Sequence, residues 1–292
     1  AKVPFGISPM GMCNLSAPGA DMMLARLAAR EHVPLGVSTV ASTAMEPLIE
    51  AAEGHAWFQL YFTGEGDGTF KLVERAKAAG YETIILTVDV PEVGRRPREL
   101  RHGFTMPFKI GPRQFIDFAC HPRWSLTALA KGKPQMANFD MDGYEFDRTE
   151  SRAKANWDTL AQLRDMWPGK LVVKGVLDAQ DAMMLRDAGV DAIQVSSHGS
   201  RQLDSAPPPI TALADIRQAV GPDFPLFYDT GLRSGEDVVK AFQQGANFTF
   251  LGRILQFAIA AAGEEGLAAL WVVIITETSL TLAHIGEVSL AP

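Results

Sequence analysis

Eight short apolar or β-branched runs recur along this chain: VPFGIS (3–8), PLGVS (34–38), AWFQLY (56–61), TIILTV (83–88), KLVVK (170–174), DAIQV (191–195), PLFY (225–228) and NFTFL (247–251). Between most of them lie segments with helical spacing, such as DMMLARLAAREH, TFKLVERAKAAG, AQDAMMLRDAG and GEDVVKAFQQGA. Apolar strands alternating with amphipathic helices predict a parallel sheet, because each parallel connection needs a crossover and both sheet faces are covered. Several helices end alike, with Gly80, Gly189 or Gly245 at the expected C-cap and the next strand a few residues on. Eight such units favour an α/β fold of the (β/α)8 TIM-barrel type over an open sheet, since closure leaves no edge strand. One stretch breaks the rhythm. From Asp89 to about Arg152 no strand is evident, far beyond the ~12–15 residues usual for a connection, which predicts a long loop after strand four. No low-complexity linker appears, so residues 1–292 read as one domain.

The bulk properties narrow the function. A chain of 292 residues that is 47% hydrophobic can bury a large core, and a net charge of −7 argues against nucleic acid as a partner. Cys13 and Cys120 are too few and too far apart for a disulfide framework or a paired-cysteine metal site, which points to a reducing, cytoplasmic setting and to no metal. The longest uninterrupted apolar run, Leu267 to Ile275, is well short of the ~20 residues a spanning helix needs.

In a (β/α)8 barrel the active site lies at the C-terminal ends of the strands. Those ends carry Ser38 and Thr39 after strand two, Gln59 and Tyr61 in strand three, Thr87 and Asp89 after strand four, Lys174 at the end of strand five, and His198 and Arg201 after strand six. Taken singly, each has an ordinary structural account. Together they bring an imidazole, carboxylate, ammonium and guanidinium to one mouth. The last two units add an anion cradle: YDTGLRSG (228–235) and FLGR (250–253) each open a helix. Helix N-termini present free N–H groups, glycines 231, 235 and 252 allow close backbone approach, and Arg233 and Arg253 add charge. Neither a GxGxxG fingerprint nor a GxxxxGK loop is present, so a Rossmann-type nicotinamide site and a P-loop are unsupported.

Five blocks, WFQLY (57–61), LTVDVPEVGRR (86–96), VVKGV (172–176), VSSHGSRQLDSAP (195–207) and DTGLRSGEDV (229–238) followed by LGR (251–253), resemble the FMN-dependent L-2-hydroxy-acid oxidases and dehydrogenases. That group contains glycolate oxidase, L-lactate dehydrogenase and mandelate dehydrogenase. The resemblance implies FMN as cofactor and oxidation of a small, lactate- or mandelate-like L-2-hydroxy acid to the 2-oxo acid, with a quinone, a carrier protein or oxygen as final electron acceptor. It implies His198 as the base, Asp89 as its partner, Tyr61 on the substrate oxygen, and Arg96 and Arg201 on the substrate carboxylate. Lys174 falls near the pyrimidine end of the flavin; Pro9, Met10, Gly11, Ser38, Gln59 and Thr87 fall along the ring. Asp229, Gly231, Arg233, Gly252 and Arg253 fall along the ribityl chain and phosphate. His198 serves as base whether the electrons leave as a carbanion or as a hydride. Asp204 reads as a structural partner that fixes the loop. A homo-oligomer, a tetramer, is also implied.

Some residues depart from that family. The chain begins at the first barrel strand, without the preceding segment and its substrate-binding tyrosine; either it is a fragment of a longer polypeptide or that contact and a cover over the barrel's bottom are gone. Gly11 stands where glycolate oxidase has alanine, as in the mandelate dehydrogenase branch, and Val40 replaces a tryptophan over the substrate side chain, leaving room for an acid larger than glycolate. Ser197, Ser200 and Thr230 replace Asn, Gly and Gly, and as small residues are expected to be tolerated. The segment 104–133 carries Lys109, Arg113, Arg123, Lys131 and Lys133 against Asp117, interleaved with Phe104, Phe108, Phe115, Phe118 and Trp124. Such a patch suits the inner face of a membrane; a lid over the active site or a contact between subunits suits it too. A flavin-holding barrel without useful catalysis, or another FMN barrel enzyme, is the alternative reading of the whole chain.

Overall fold

The computed structural model describes the chain except for residues 63, 65–66, 93, 95, 104–109, 133, 142–151 and 291–292. All eight expected strands form: β1 (Phe5–Ile7), β2 (Leu35–Ser38), β3 (Ala56–Tyr61), β4 (Thr83–Thr87), β5 (Lys170–Val176), β6 (Ala192–Val195), β7 (Leu226–Tyr228) and β8 (Phe248–Leu251). They pair in sequence order, all parallel, and β1 closes on β8 through Phe5 opposite Thr249 and Ile7 opposite Leu251. The fold is a (β/α)8 barrel.

Strand periodicity sorts each strand into two faces. Phe58, Leu60, Ile84, Leu86, Leu171, Val173, Ile193 and Val195 belong to the main apolar core beneath the helices. The opposite face fills the barrel in layers. Low in the interior, Ile85, Val172 and Ala192 pack with Trp57 and Phe227, and the Trp57 ring lies 5.7 Å from Phe227 and 5.5 Å from Phe250. This plug closes the bottom. One step up the strands the inward side chains turn polar: Gln59, Thr87, Lys174 and Gln194, all buried. Register sets Ser38 opposite Gln59, Thr87 opposite Lys174, and Lys174 opposite Gln194.

The outer helices are α1 (Ala20–Glu31), α2 (Met45–Ala51), α3 (Asp67–Ala78), α4 (Pro97–Arg101), α5 (Pro112–Cys120), α6 (Pro122–Lys131), α7 (Trp157–Met166), α8 (Ala179–Asp187), α9 (Pro209–Val220), α10 (Gly235–Gln243) and α11 (Arg253–Ile285). Gly80, Gly189 and Gly245 take the expected left-handed conformation, with φ of 88°, 81° and 102°. The long connection after β4 holds α4, α5 and α6, and Asn138 pins its far end. The Asn138 side chain donates to Ser38 O at 3.0 Å and accepts from Met45 N at 2.8 Å.

The last helix corrects the sequence reading. α11 has 33 residues and passes, by length and composition alone, as long and apolar enough to cross a membrane, and only 22% of its most apolar window is buried. Counting uninterrupted apolar runs overlooked it, because Gly263, Glu264, Glu265 and Gly266 on one side and Thr276, Glu277, Thr278 and Ser279 on the other cut its apolar stretches short. It is broken at Ala262 (φ −150°) and Gly263 (φ 60°, ψ −136°) and held to the barrel by Trp271, whose ring lies 4.8 Å from Phe5.

Candidate active site

The polar layer is wired side chain to side chain. Ser38 Oγ donates to Gln59 Oε1 at 2.9 Å and Gln59 Nε2 donates to Thr87 Oγ1 at 3.0 Å. Lys174 Nζ donates to Ser196 Oγ at 2.7 Å and sits 3.1 Å from Asp229 Oδ2, which also accepts from Gln194 Nε2 at 2.8 Å and Ser8 Oγ at 3.0 Å. Burial works against charge on Lys174, but Asp229 and Asp89 outweigh it and hold its pKa above the ordinary value. Burial likewise opposes charge on Asp229, and Lys174 with its hydrogen bonds holds that carboxyl below the usual range. A fixed cation therefore stands at the bottom of the mouth.

Above it His198 Nδ1 lies 3.0 Å from Asp89 Oδ1, and His198 Nε2 lies 3.4 Å from the Tyr61 hydroxyl. With Asp89 ionised, the Nδ1–H donates to it, which leaves Nε2 as the acceptor facing the mouth. The contact depends on a β-bulge between Lys174 and Val176: at Gly175, with φ of 103°, a Cβ would lie 2.6 Å from Asp89 Cβ. Burial and the Asp89 charge push the Tyr61 pKa up to about 12, against Lys174, Arg152 and Arg96, so its phenol stays protonated near neutrality.

The histidine loop is unusual in its backbone. His198, Gly199 and Ser200 are all left-handed, at φ 55°, 66° and 56°, and Thr230 on the neighbouring loop has φ 93°. Ser200 and Thr230, expected to be tolerated as small residues, thus occupy positions that suit glycine, at a cost on the order of 1–3 kcal/mol each. Thr230 offsets this with its hydroxyl, which accepts from Ser197 N (3.2 Å) and Gly199 N (3.3 Å) and donates to Asp229 Oδ1 (3.1 Å). It ties the His198 loop to the Lys174 partner. Asp204 does not fix this loop: it is exposed and makes no hydrogen bond among the described residues. Gln202 does so, its Oε1 accepting from Gly94 N at 2.9 Å.

Three guanidiniums surround the mouth. Arg201 Nη2 is 3.4 Å from Glu99 Oε1. Arg96 is half-buried with its Nε unpartnered among the described residues, and burial, Arg201 and Arg152 push its pKa down against Glu99 and Tyr61. Arg152, which the sequence reading used only to mark the end of the long loop, places its guanidinium carbon 5.1 Å from the Tyr61 ring centroid.

At the other side of the mouth, Gly252 caps α11 and a Cβ there would touch only Ser8 Cβ, at 3.8 Å; one on Gly231 (φ 82°) would meet nothing within 4 Å. Arg253 Nη2 donates to Gly199 O at 3.0 Å, and Arg233 is exposed. Gly235 departs from the expected cradle. A Cβ there would lie 2.1 Å from Thr278 N, and its own N–H is taken by Glu277 Oε2 at 2.9 Å, so this glycine serves the packing of α10 on α11. The loops after β1 and β2 meet as well: Pro9 packs on Gly36, Met10 O accepts from Cys13 Sγ, and Gly11 faces Val40, whose Cγ2 would be 2.4 Å from an added Cβ. A cavity of about 570 Å³ lies at the barrel's bottom, lined by Val3, Phe5, Phe248, Ile275 and Leu282 among others, remote from these groups.

A closed parallel barrel with a histidine–carboxylate pair and a buried cation at the C-terminal ends of its strands has the arrangement of a (β/α)8 enzyme. The chain belongs to the FMN-dependent dehydrogenase family, which it matches over residues 1–292. It is 38% identical over 269 residues to the putative L-lactate dehydrogenase of Mycobacterium tuberculosis, covering 91% of this chain and 65% of that one. It is 37% identical over 293 residues to the (S)-mandelate dehydrogenase of Pseudomonas putida, covering 98% and 74%. The crystal structure of the monotopic membrane protein (S)-mandelate dehydrogenase superposes with a TM-score of 0.92 at 36% identity, covering 99% of this chain and 78% of that one. Mandelate oxidase with benzoyl-formic acid gives 0.82 at 33% identity, covering 99% and 76%. The chain therefore spans between 65% and 78% of these proteins.

The residues fit the FMN on which the family depends. Gln194 Oε1 and Asp89 Oδ2 are buried with no partner among the described residues, an arrangement that costs free energy unless a ligand supplies donors.

Proposed function

We propose that this chain oxidises an L-2-hydroxy acid to the corresponding 2-oxo acid. The observation that carries the reading is the Asp89–His198–Tyr61 array, whose imidazole Nε2 faces the Tyr61 hydroxyl at a mouth lined with guanidiniums. His198 Nε2 takes a proton from the 2-hydroxy acid, and Asp89 orients the ring and balances the imidazolium. Tyr61 donates to the substrate oxygen. Arg96 and Arg201 hold the carboxylate, a planar grip that fixes which face of the carbon is presented. Val40 leaves space for the side chain. Ser38, Gln59 and Thr87 would face the polar edge of the FMN ring, Pro9, Met10 and Gly11 its flank, and Asp229, Gly231, Arg233, Gly252 and Arg253 its ribityl chain and phosphate. FMN, when bound, accepts the two electrons, and Lys174 supplies positive charge where electron density gathers. Purified protein is expected to release FMN on denaturation. Arg253→Ala is expected to weaken FMN binding about ten- to a hundredfold, the ~1.5–3 kcal/mol of a charge-assisted contact. Release of FAD, or unchanged affinity in the variant, contradicts this assignment.

A membrane-facing role for α5 and α6 has its own support. Ile110, Phe115, Ile116, Leu126 and Leu129 are all exposed there, with Arg113 beside them. Of the residues that the sequence singled out, Phe118 and Trp124 instead stack on each other at 5.4 Å, and Trp124 Nε1 donates to Ser16 O. Phe104, Phe108, Lys109, Lys133 and the Arg123 side chain lie outside the described set. Exposed aliphatics beside cations suit an anionic lipid surface, and a lipid-borne quinone is then the natural final acceptor. Co-sedimentation with anionic liposomes at low salt, lost in Leu126→Glu/Leu129→Glu, is the expected result; no co-sedimentation decides for a lid or a subunit contact.

A further inference from the structure

Among the described residues the charges at the mouth do not balance. Lys174 is paired with Asp229 at 3.1 Å, His198 with Asp89 at 3.0 Å and Arg201 with Glu99 at 3.4 Å. Arg96 and Arg152 are left without a carboxylate partner among the described residues, and the Nε of each is buried and unbonded. Guanidiniums this close repel one another and lose hydration, so a cluster of them in the free protein stores a preference for anions. A substrate with one carboxylate, gripped by Arg96 and Arg201, supplies one negative charge. It leaves Arg152 unanswered.

Arg152 is not a side chain swinging in solvent. Its backbone N–H donates to Pro91 O at 2.9 Å, two residues after Asp89, and its guanidinium lies over the face of Tyr61. The Tyr61 hydroxyl faces His198 Nε2, where the hydroxyl-bearing carbon must sit, so Arg152 stands one ring away from the reacting centre. Stacking on an aromatic face holds a guanidinium in place while leaving its in-plane N–H groups available. A carboxylate two or three carbons along the substrate side chain matches that position. Val40 packs against Gly11, where its Cγ2 would lie 2.4 Å from an added Cβ, and is a smaller side chain than the tryptophan of glycolate oxidase.

We infer that Arg152 is a specificity residue for a second acidic group, and that the preferred substrates are 2-hydroxy dicarboxylic acids. The inference rests on the proposed oxidation of 2-hydroxy acids and narrows its substrate class.

The test compares L-malate and L-2-hydroxyglutarate with L-2-hydroxyisocaproate, which has nearly the shape of malate without the second charge. FMN-loaded protein is mixed anaerobically with each acid at low ionic strength, and flavin bleaching gives a limiting rate and an apparent Kd. The wild type is expected to favour the diacids by about tenfold or more in the ratio of rate to Kd, the worth of one charge-assisted hydrogen bond. In Arg152→Gln that advantage disappears, chiefly through Kd, while Arg152→Lys, which keeps the charge and loses the planar fork, retains part of it. A residue that merely supported Tyr61 would slow all acids alike. Bleaching by the monoacid with no diacid advantage in the wild type, or an advantage unchanged in Arg152→Gln, overturns this inference alone. Failure of every 2-hydroxy acid to bleach the flavin overturns the functional reading with it.

Discussion

Replacing His198 by Gln is expected to slow substrate-driven bleaching of the bound flavin by at least ~10²–10⁴, the usual worth of a general base, while FMN remains bound. Glutamine preserves a polar side chain of similar reach, so the Asp89 contact at 3.0 Å has a donor to replace it. It has no nitrogen that can take a proton near neutral pH. The substrate's carboxylate still meets Arg96 and Arg201, so the loss falls on the limiting rate more than on the apparent Kd. Bleaching at the wild-type rate would remove the histidine from the chemistry. His198 holds a left-handed backbone, φ 55°, which suits His better than Gln, so retention of FMN by the variant is the check that its loop is still folded.

The second large effect is on stability. Lys174 and Asp229 are a buried pair, with side chains 4% and 8% exposed, and removing one partner leaves the other charged and unanswered. Lys174→Met is expected to cost about 3–5 kcal/mol, read as a shift of the urea midpoint in flavin-free protein. Lys174→Met/Asp229→Asn should recover much of it, because no orphan charge remains. The pH dependence has a definite sign. The depressed Asp229 carboxyl contributes stability that is present above the unfolded value near 3.8 and is lost as pH falls through its folded pKa. The raised Lys174 contributes stability that is complete below 10.5 and is lost as pH rises through its folded pKa. A single variant within ~1 kcal/mol of wild type, typical of an exposed pair, would contradict the buried-pair account.

Which parts of this architecture were legible in the sequence follows from the range of the contacts involved. Strands of a closed parallel barrel are covered on both faces, so they stand out as short apolar runs, and the polar residue that ends each run marks the mouth. His198, Asp89, Tyr61 and Lys174 were found that way, and the structure brings them together. The residues that escaped act through space. Gly175 is needed because Asp89 crowds it, Asn138 because it bonds the loop after β2, and Thr230 because its hydroxyl joins two loops. Arg152 follows a stretch with no periodic signal and meets Tyr61 only once the barrel has closed. Proximity in sequence misled in the other direction: Asp204 lies six residues from His198 yet points to solvent, and Gly235 sits beside the expected anion turn yet serves α11.

The central claim is that the mouth performs chemistry and does not merely hold a flavin. Anaerobic stopped-flow mixing of the FMN-loaded wild type with L-2-hydroxy acids, followed by assay of the product, tests it most directly. The account predicts bleaching of the flavin with one 2-oxo acid formed per FMN reduced, and no bleaching with the D-enantiomers. A protein that keeps its FMN yet is bleached by no L-2-hydroxy acid would contradict it and leave a flavin-binding barrel without catalysis.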